Sequence, residues 1–381
     1  MANDFYQEEH RIFRDTFSKF LQKEVMPHIE EWEDAGIVPR EIWYKCGEQG
    51  FLCPWADEKY GGFNAGFEYS AIITEEIGRA GAGCLGVGLH NDIVAPYLGD
   101  YGNEEQKAKW MPGCTSGHCI TAIAMSEPDA GSDLQAMRTT AIKDGDFYVV
   151  NGQKIFISNG VSCDLAIVAC KTDPKANPPH NGISMLLIED GTSGFRHDRK
   201  LHKLGLRGQD TAELVFEDCR VPKSNLLGEE GMAFAYMMKN LQQERLIITI
   251  GAQADAEETL RQTIEYCKSR IAFGKPISRF QHNTFKIVEL ATEVELGRTF
   301  LDTLIADHIA GKDIVKKVSM AKWWITEMAN RVAYHCLQLY GGYGFMEEYP
   351  IARRYRDARA STIVGGTTEV MKIVIGRLMG L

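Results

Sequence analysis

The residues best suited to chemistry fall into a cradle and a base. Ile123-Ala124-Met125-Ser126 is an apolar run that ends in a hydroxyl, and a Glu127-Pro128 step then turns the chain. Ala130-Gly131-Ser132 follows with small residues whose backbone N–H groups can approach an anion closely. Such a stretch suits a pyrophosphate-linked cofactor whose flat ring lies over the apolar part, with Ser126 at the ring edge; turn chemistry alone also selects Pro-Asp-Ala-Gly-Ser. Phe156-Ile157-Ser158 ends a strand pattern with a second hydroxyl. Arg270-Ile271-Ala272-Phe273-Gly274-Lys275-Pro276 closes a helical pattern with cations and an aromatic, which C-capping also explains. Gln338-Leu339-Tyr340-Gly341-Gly342-Tyr343-Gly344-Phe345 sets three glycines among aromatics, as a helix stop or as backbone that meets a ligand. Gly365-Gly366-Thr367-Thr368-Glu369 begins a helix, and free N–H groups at helix N-termini bind anions and polar rings. The candidate base is Glu244, followed by apolar Leu246, Ile247, Ile248 and Ile250, where burial raises a carboxylate pKa toward neutrality. A surface pair of Glu244 with Arg245 is the other reading of the same residues.

The elements that must hold these groups follow from periodicity. Residues 4 to 34 show helical spacing through Phe5, Ile12, Phe13, Phe17, Phe20, Leu21 and Val25, broken at Pro27. Further helices are predicted near 40–50, 67–79, 87–99 and 103–111. The small-residue segment from Ala80 to Gly88 is a turn with close helix packing, or room for a long ligand tail. From about residue 120 the period becomes two, and Asn151-Gly152 between alternating residues predicts a hairpin. Strands are predicted at Leu165–Cys170, Ile183–Glu189 and Ala212–Phe216, the last running to Val221-Pro222. After Gly231 helices return: one long or two serial helices from Met232 to about Phe273, then Phe285–Ala310 and Ile314–Leu339. The plan divides as 1–121 helical, 122–231 β and 232–381 helical, an α+β chain that is mostly α.

Composition sets limits. A chain of 381 residues exceeds one typical core, and 44% hydrophobic with 25% charged residues is ordinary for a globular protein. A net charge of -10 argues against non-specific nucleic-acid binding. The ten cysteines are scattered without Cys-x-x-Cys spacing, which predicts reduced structural thiols and no metal. No apolar run reaches the ~18 residues of a membrane span. The mixed charges of the first residues are unlike a signal or transit peptide, so the chain reads as cytoplasmic, or mitochondrial matrix if it is a processed eukaryotic chain.

The pattern Ser126-Glu127-Pro128-x-Ala130-Gly131-Ser132-Asp133 recurs with Gly205-Leu206-Arg207-Gly208, Phe216-Glu217-Asp218, Arg220-Val221-Pro222, Arg270 to Lys275 and Gln338 to Gly342. Together, in order and across the whole chain, these resemble the acyl-CoA dehydrogenase family, most similar to its long-chain branch. The resemblance implies an N-terminal helical domain, a middle β-barrel-like domain and a C-terminal four-helix bundle. It also implies FAD and a homotetramer built as a dimer of dimers. Residues matching Ile123 to Ser126 and Phe156 to Ser158 hold the flavin ring, with Gly131 and Ser132 near the pyrophosphate and acyl-CoA. Arg270, Phe273, Gln281 and Gln338 to Gly342 reach the neighbouring subunit's FAD, and Thr367, Thr368 and Glu369 make a further contact. Tyr236, Gln243, Arg245, Gly365 and Gly366 fall at substrate positions.

One departure matters. Many members carry their catalytic Glu where this chain has Gly365; in the long-chain and isovaleryl branch the base comes from the helix after the β domain, and Gln242-Gln243-Glu244-Arg245-Leu246 matches that motif. The resemblance then implies desaturation of a medium-to-long fatty acyl-CoA to the trans-2-enoyl-CoA. Glu244 would take the α-proton, flavin N5 the β-hydride, and the Gly365 N–H would donate to the thioester carbonyl, with an electron-transfer flavoprotein as acceptor. A branched-chain or carrier-bound acyl substrate is the alternative, and a non-catalytic assembly protein a further one.

Overall fold

Helix, sheet and helix follow one another along the chain in the computed structural model, which describes residues 5–381. The N-terminal helices are α1 (Glu8–Phe20), α2 (Ile29–Ala35), α3 (Arg40–Glu48), α4 (Phe67–Ala80), α5 (Val87–Leu89), α6 (Ala95–Tyr101) and α7 (Glu104–Ser116). The first helical stretch is interrupted: a π turn at Leu21–Val25 and a 3-10 turn at Met26–His28, which contains Pro27, separate α1 from α2. Residue 4, where the periodicity begins, lies outside the described residues. Phe17, Trp32, Trp43 and Phe51 fill the core of this unit.

The middle strands are β1 (Thr121–Ala124), β2 (Thr140–Asp144), β3 (Phe147–Ser158), β4 (Leu165–Lys171), β5 (Ile183–Glu189), β6 (Phe195–Lys200), β7 (Thr211–Pro222) and β8 (Leu226–Leu227). They form one sheet in the order β6-β7-β3-β2-β4-β5-β8, with β1 parallel to β4. Its two halves join at the single pair Thr140–Lys171. Tyr148, Val150 and Phe216 from one half share a core with Val168, Leu186 and Ile188 from the other, so the sheet curls on itself without pairing its ends.

The Asn151-Gly152 hairpin is overturned. Strand β3 runs through both residues, which form a bulge against β7 between Val150 and Gly152. Asn151 exchanges two hydrogen bonds with Asp218, 2.8 and 3.2 Å, and pins the bulge. A Cβ at Gly152 would stand 2.4 Å from the Thr139 hydroxyl oxygen, so glycine serves close approach here rather than reversal. The true hairpin turns at Gly145-Asp146, with φ of 56° at Gly145.

Beyond the sheet, α8 (Ala233–Ser269) is one continuous 37-residue helix. A short ribbon of β9 (Ile271–Ala272) and β10 (Lys275–Pro276) leads to α9 (Gln281–Ile309), α10 (Val315–Tyr340), α11 (Pro350–Ala358) and α12 (Thr368–Leu378). Leu246 and Ile250 of α8 pack with Leu301, Leu304, Ile325 and Met328 of α9 and α10. Ala71 of α4 joins the same cluster, which fastens the N-terminal helices to α8. All ten cysteines are free and buried. Among the described residues no helix is long and apolar enough to cross a membrane, and no cluster of metal-ligating side chains occurs.

Candidate active site

Helix α8 carries Glu244 into the interior, where the side chain is only 6% exposed. Its partner is the Tyr97 hydroxyl of α6, which donates to Oε1 at 2.9 Å. Burial pushes the Glu244 pKa up to about 7, against the opposing pull of Tyr97 and Arg245. One turn earlier the Tyr101 hydroxyl donates to Asn240 Oδ1 at 2.9 Å and its ring stacks on Tyr236 at 3.8 Å. Gln243 donates to the Asp92 carbonyl at 3.1 Å. The surface-pair reading of Glu244 and Arg245 therefore fails: Arg245 is buried too, and its Nε has no hydrogen-bond partner among the described residues.

The glycine turn packs against α8 one turn beyond the carboxylate. Gly365 has φ of 64°, a region few side chains adopt, and a Cβ there would stand 2.4 Å from Ile248 Cδ1. Lys322 of α10, fully buried, donates from Nζ to the Gly366 carbonyl at 2.6 Å. Burial and Arg245 push its pKa down to about 8, opposed by Glu327 and Glu369. Thr367 caps α12 by accepting from the Val370 N–H, Thr368 donates to Glu327 Oε1 at 2.7 Å, and Glu369 stays exposed on the first turn. A cavity of about 250 Å³ opens beside this turn, between α4, Gly81 to Leu89, and Ile247, Ile248 and Gly251 of α8. The glycine-rich segment thus lines a void.

A second cluster forms on the sheet. Ile123 and Ala124 end β1, Met125 and Ser126 follow, and Ile155 N–H donates to the Ser126 carbonyl at 3.0 Å, which sets the run beside Phe156, Ile157 and Ser158. Phe156 has φ of 62° in a second bulge of β3 and is 67% exposed, an outlier conformation for an aromatic residue. Beneath this shelf, buried Lys154 donates to the Met125 carbonyl at 3.0 Å and to Glu127 Oε1 at 2.8 Å. Glu127 also accepts from the Arg138 and Thr139 N–H groups; burial alone would raise its pKa, but these partners hold it below the usual range. Gly131 and Ser132 lie exposed at the rim, and a Cβ at Gly131 would meet nothing within 4 Å.

A third cluster stands apart. Tyr340 stacks on Tyr266 at 4.0 Å where α10 ends, and Gly341 takes φ of 59°. With Arg270, His282, Gln338, Leu339 and Gly342 they line a cavity of about 860 Å³ that includes no residue of the shelf or the Glu244 cluster. Phe273 on the adjoining ribbon is 95% exposed, and Gln281 begins α9 on the surface.

Reading by sequence missed Tyr97, Lys322 and the Lys154–Glu127 pair. Tyr97 falls in the helix predicted near 87–99 and Tyr101 just beyond its expected end, four residues on, a spacing that on one continued helix aligns two hydroxyls on one face. Lys322 is an isolated cation in Ser319-Met320-Ala321-Lys322-Trp323-Trp324, and that isolation was its signal.

A β platform thus lies between two helical units, with a buried carboxylate on α8 one turn from a glycine turn. Family models for the acyl-CoA dehydrogenase N-terminal, middle and C-terminal domains match residues 7–118, 122–219 and 231–380. The chain is 48% identical over 374 residues to the long-chain specific acyl-CoA dehydrogenase of Sus scrofa mitochondria, covering 98% of this chain and 86% of that one. It is 38% identical over 373 residues to the mitochondrial isovaleryl-CoA dehydrogenase of Pongo abelii, with coverage of 97% and 88%. The crystal structure of an acyl-CoA dehydrogenase from Geobacillus kaustophilus superposes with a TM-score of 0.98 at 59% identity, covering 99% of both chains. The chain belongs to the acyl-CoA dehydrogenase family, whose members are FAD flavoproteins.

Proposed function

We propose that the chain desaturates medium-to-long straight-chain fatty acyl-CoA thioesters at C2–C3 to the trans-2-enoyl-CoA, with Glu244 as the base. The observation that carries this reading is Glu244 on α8, buried with one oxygen held by the Tyr97 hydroxyl and its pKa pushed up to about 7 by burial, beside a turn whose glycine offers no competing side chain. Glu244 takes the proton from C2, and FAD supplies the acceptor for the hydride that leaves C3, so two electrons and two hydrogens leave the substrate. Enolate-like charge develops on the thioester oxygen, and the Gly365 N–H, on a turn held by Lys322, donates to it. Buried Arg245 lies near enough to act on Glu244 and favours its ionised form, which resets the base after product leaves.

The residues fit the cofactor. The exposed Phe156 shelf with Ile123, Ala124, Met125, Ser126, Ile157 and Ser158 would hold the ring, and the open backbone at Gly131 and Ser132 the pyrophosphate. Thr367, Thr368 and Glu369 would meet the cofactor at the α12 N-terminus. Because Arg270, Phe273, Gln281 and Gln338 to Gly342 lie apart from the shelf, they would serve the FAD of a neighbouring subunit in a dimer of dimers. Tyr236, Gln243, Arg245 and Gly366 would contact or flank the acyl-CoA. The apolar cavity along Gly81 to Leu89 and the likeness to a long-chain enzyme support the chain-length preference. An electron-transfer flavoprotein is the acceptor this reading assigns.

The test is an anaerobic titration of the purified holoenzyme with C4 to C16 acyl-CoAs, wild type beside Glu244→Gln. The flavin band should bleach in wild type, most completely with C8 or longer chains. It should persist in Glu244→Gln, with reduction slowed by at least about 1,000-fold. A variant that bleaches as fast as wild type would falsify the assignment of the base; preferential bleaching by branched or carrier-bound acyl groups would reassign the substrate.

A further inference from the structure

We propose that Tyr97 is a positioning residue for the base: its hydroxyl holds Oε1 of Glu244 and leaves Oε2 as the oxygen that receives the substrate proton. The proposal rests on the reading of Glu244 given above.

Three observations support it. Tyr97 is fully buried and its hydroxyl donates to Glu244 Oε1, so breaking the bond strands both groups away from water. Oε2 makes no hydrogen bond with the described residues, yet it is not among the sealed polar atoms that lack partners, so it opens onto accessible space. The contact is one rung of two. Tyr97 and Tyr101 on α6 meet Glu244 and Asn240 on α8, each pair four residues apart, so two helices fix the rotation of the carboxylate together. Helix α6 is itself anchored. His90, just ahead of it, bonds the Cys114 carbonyl through Nε2 and Thr121 through Nδ1, and Asn91 bonds Phe51 and Cys53.

The groups that act on the Glu244 charge are few. Tyr97 faces it from α6, with Asp100 and Tyr101 acting on Tyr97 in turn, and Arg245 adjoins it on α8. Lys322 of α10 acts on Arg245. Removing the Tyr97 hydroxyl therefore withdraws the hydrogen bond that favours the ionised carboxylate.

The experiment compares holoenzyme wild type, Tyr97→Phe, Tyr101→Phe and Glu244→Gln. Two readouts are taken: the pH profiles of kcat and kcat/KM, and an infrared titration of the buried carboxyl stretch, assigned by its loss in Glu244→Gln. Tyr97→Phe keeps the ring and its packing. It should raise the Glu244 midpoint by about 0.5–1 pH unit in both readouts, the equivalent of one lost hydrogen bond. It should also lower plateau kcat by about 10-fold with little change in KM. Tyr101→Phe, which breaks the neighbouring rung, should leave the Glu244 midpoint in place. An unmoved midpoint in Tyr97→Phe, with Glu244→Gln inactive, overturns the role of Tyr97 and spares the base. Turnover retained in Glu244→Gln overturns the base and the positioning role with it. A Tyr97→Phe protein too unstable to assay for turnover is still read by infrared at low temperature, where an unshifted carboxyl band again overturns the proposal.

Discussion

In the role proposed for it, the buried carboxylate of Glu244 would serve chemistry at the expense of the fold. Its pKa, raised by burial from the ordinary 4.5 of a glutamate to about 7, means that the folded protein binds a proton the unfolded chain has released between those values. The stabilising effect of the bound proton is complete below the unfolded pKa and is lost as pH rises through about 7. The shift corresponds to about 3 kcal/mol at alkaline pH. Glu244→Gln should therefore raise the thermal midpoint more at pH 8.5 than at pH 5, by several degrees, in paired melts of the holoenzyme. Equal changes at both pH values would show that Glu244 titrates normally. Asp92, buried and pushed up to about 7 by burial against the opposing pull of the Ser70 hydroxyl, adds to the same alkaline loss, so only the difference between variants is diagnostic. At this scale Glu244 was legible through the family resemblance and the missing carboxylate at position 365, since its neighbours alone fitted a surface pair with Arg245 as well. Tyr97 was not, since its partner lies 147 positions away and no local spacing reports that distance.

Between elements, the turn at Gly365 and the helix at Ile248 crowd any side chain at 365, which fits the proposed placement of the base on α8. A side chain at 365 must take φ near 64° and displace Ile248, whose Cδ1 occupies the space of its Cβ. Moving the base in a Glu244→Gln, Gly365→Glu double variant should consequently leave activity about 100-fold or more below wild type. Adding Ile248→Ala should recover at least about 10-fold of it, measured as single-turnover flavin reduction; no recovery would mean that backbone strain, and not Ile248, is the obstacle. The long helices were legible from period alone, and α8 resolved as one helix because no proline or glycine pair interrupts Ala233–Ser269. The Asn151-Gly152 error has a different origin. Local turn chemistry was read as a chain reversal, but cross-strand bonding to Asp218 makes the pair a bulge within one strand, and that partner is invisible in a short window. The Lys154–Glu127 pair escaped for the same reason: it looks like ordinary strand alternation until the sheet folds over it.

For the whole molecule, three regions of the chain meet at Gly205-Leu206-Arg207-Gly208. The Leu206 N–H donates to Asp357, the Gly208 N–H to Glu33, and Arg356 reaches Glu33, while a Cβ at Gly205 would collide with the Arg356 backbone at 2.6 Å. Sequence marked this stretch through family resemblance alone; its role as a junction needed the fold. Assembly makes a separate prediction. Phe273 projects almost wholly into solvent in the single chain, so Phe273→Asp should lower the sedimenting mass and the flavin content together. Unchanged mass and stoichiometry would sink the shared-cofactor reading. The continuity of α8 has one more consequence. Its 37 residues make a rod about 55 Å long, and Glu244 and Arg270, the residue just past its end, stand about 39 Å apart along the axis. A rod with no proline and no glycine pair along it fixes the rotation of one end against the other, so the Glu244 and Arg270 ends of the helix keep one relative orientation.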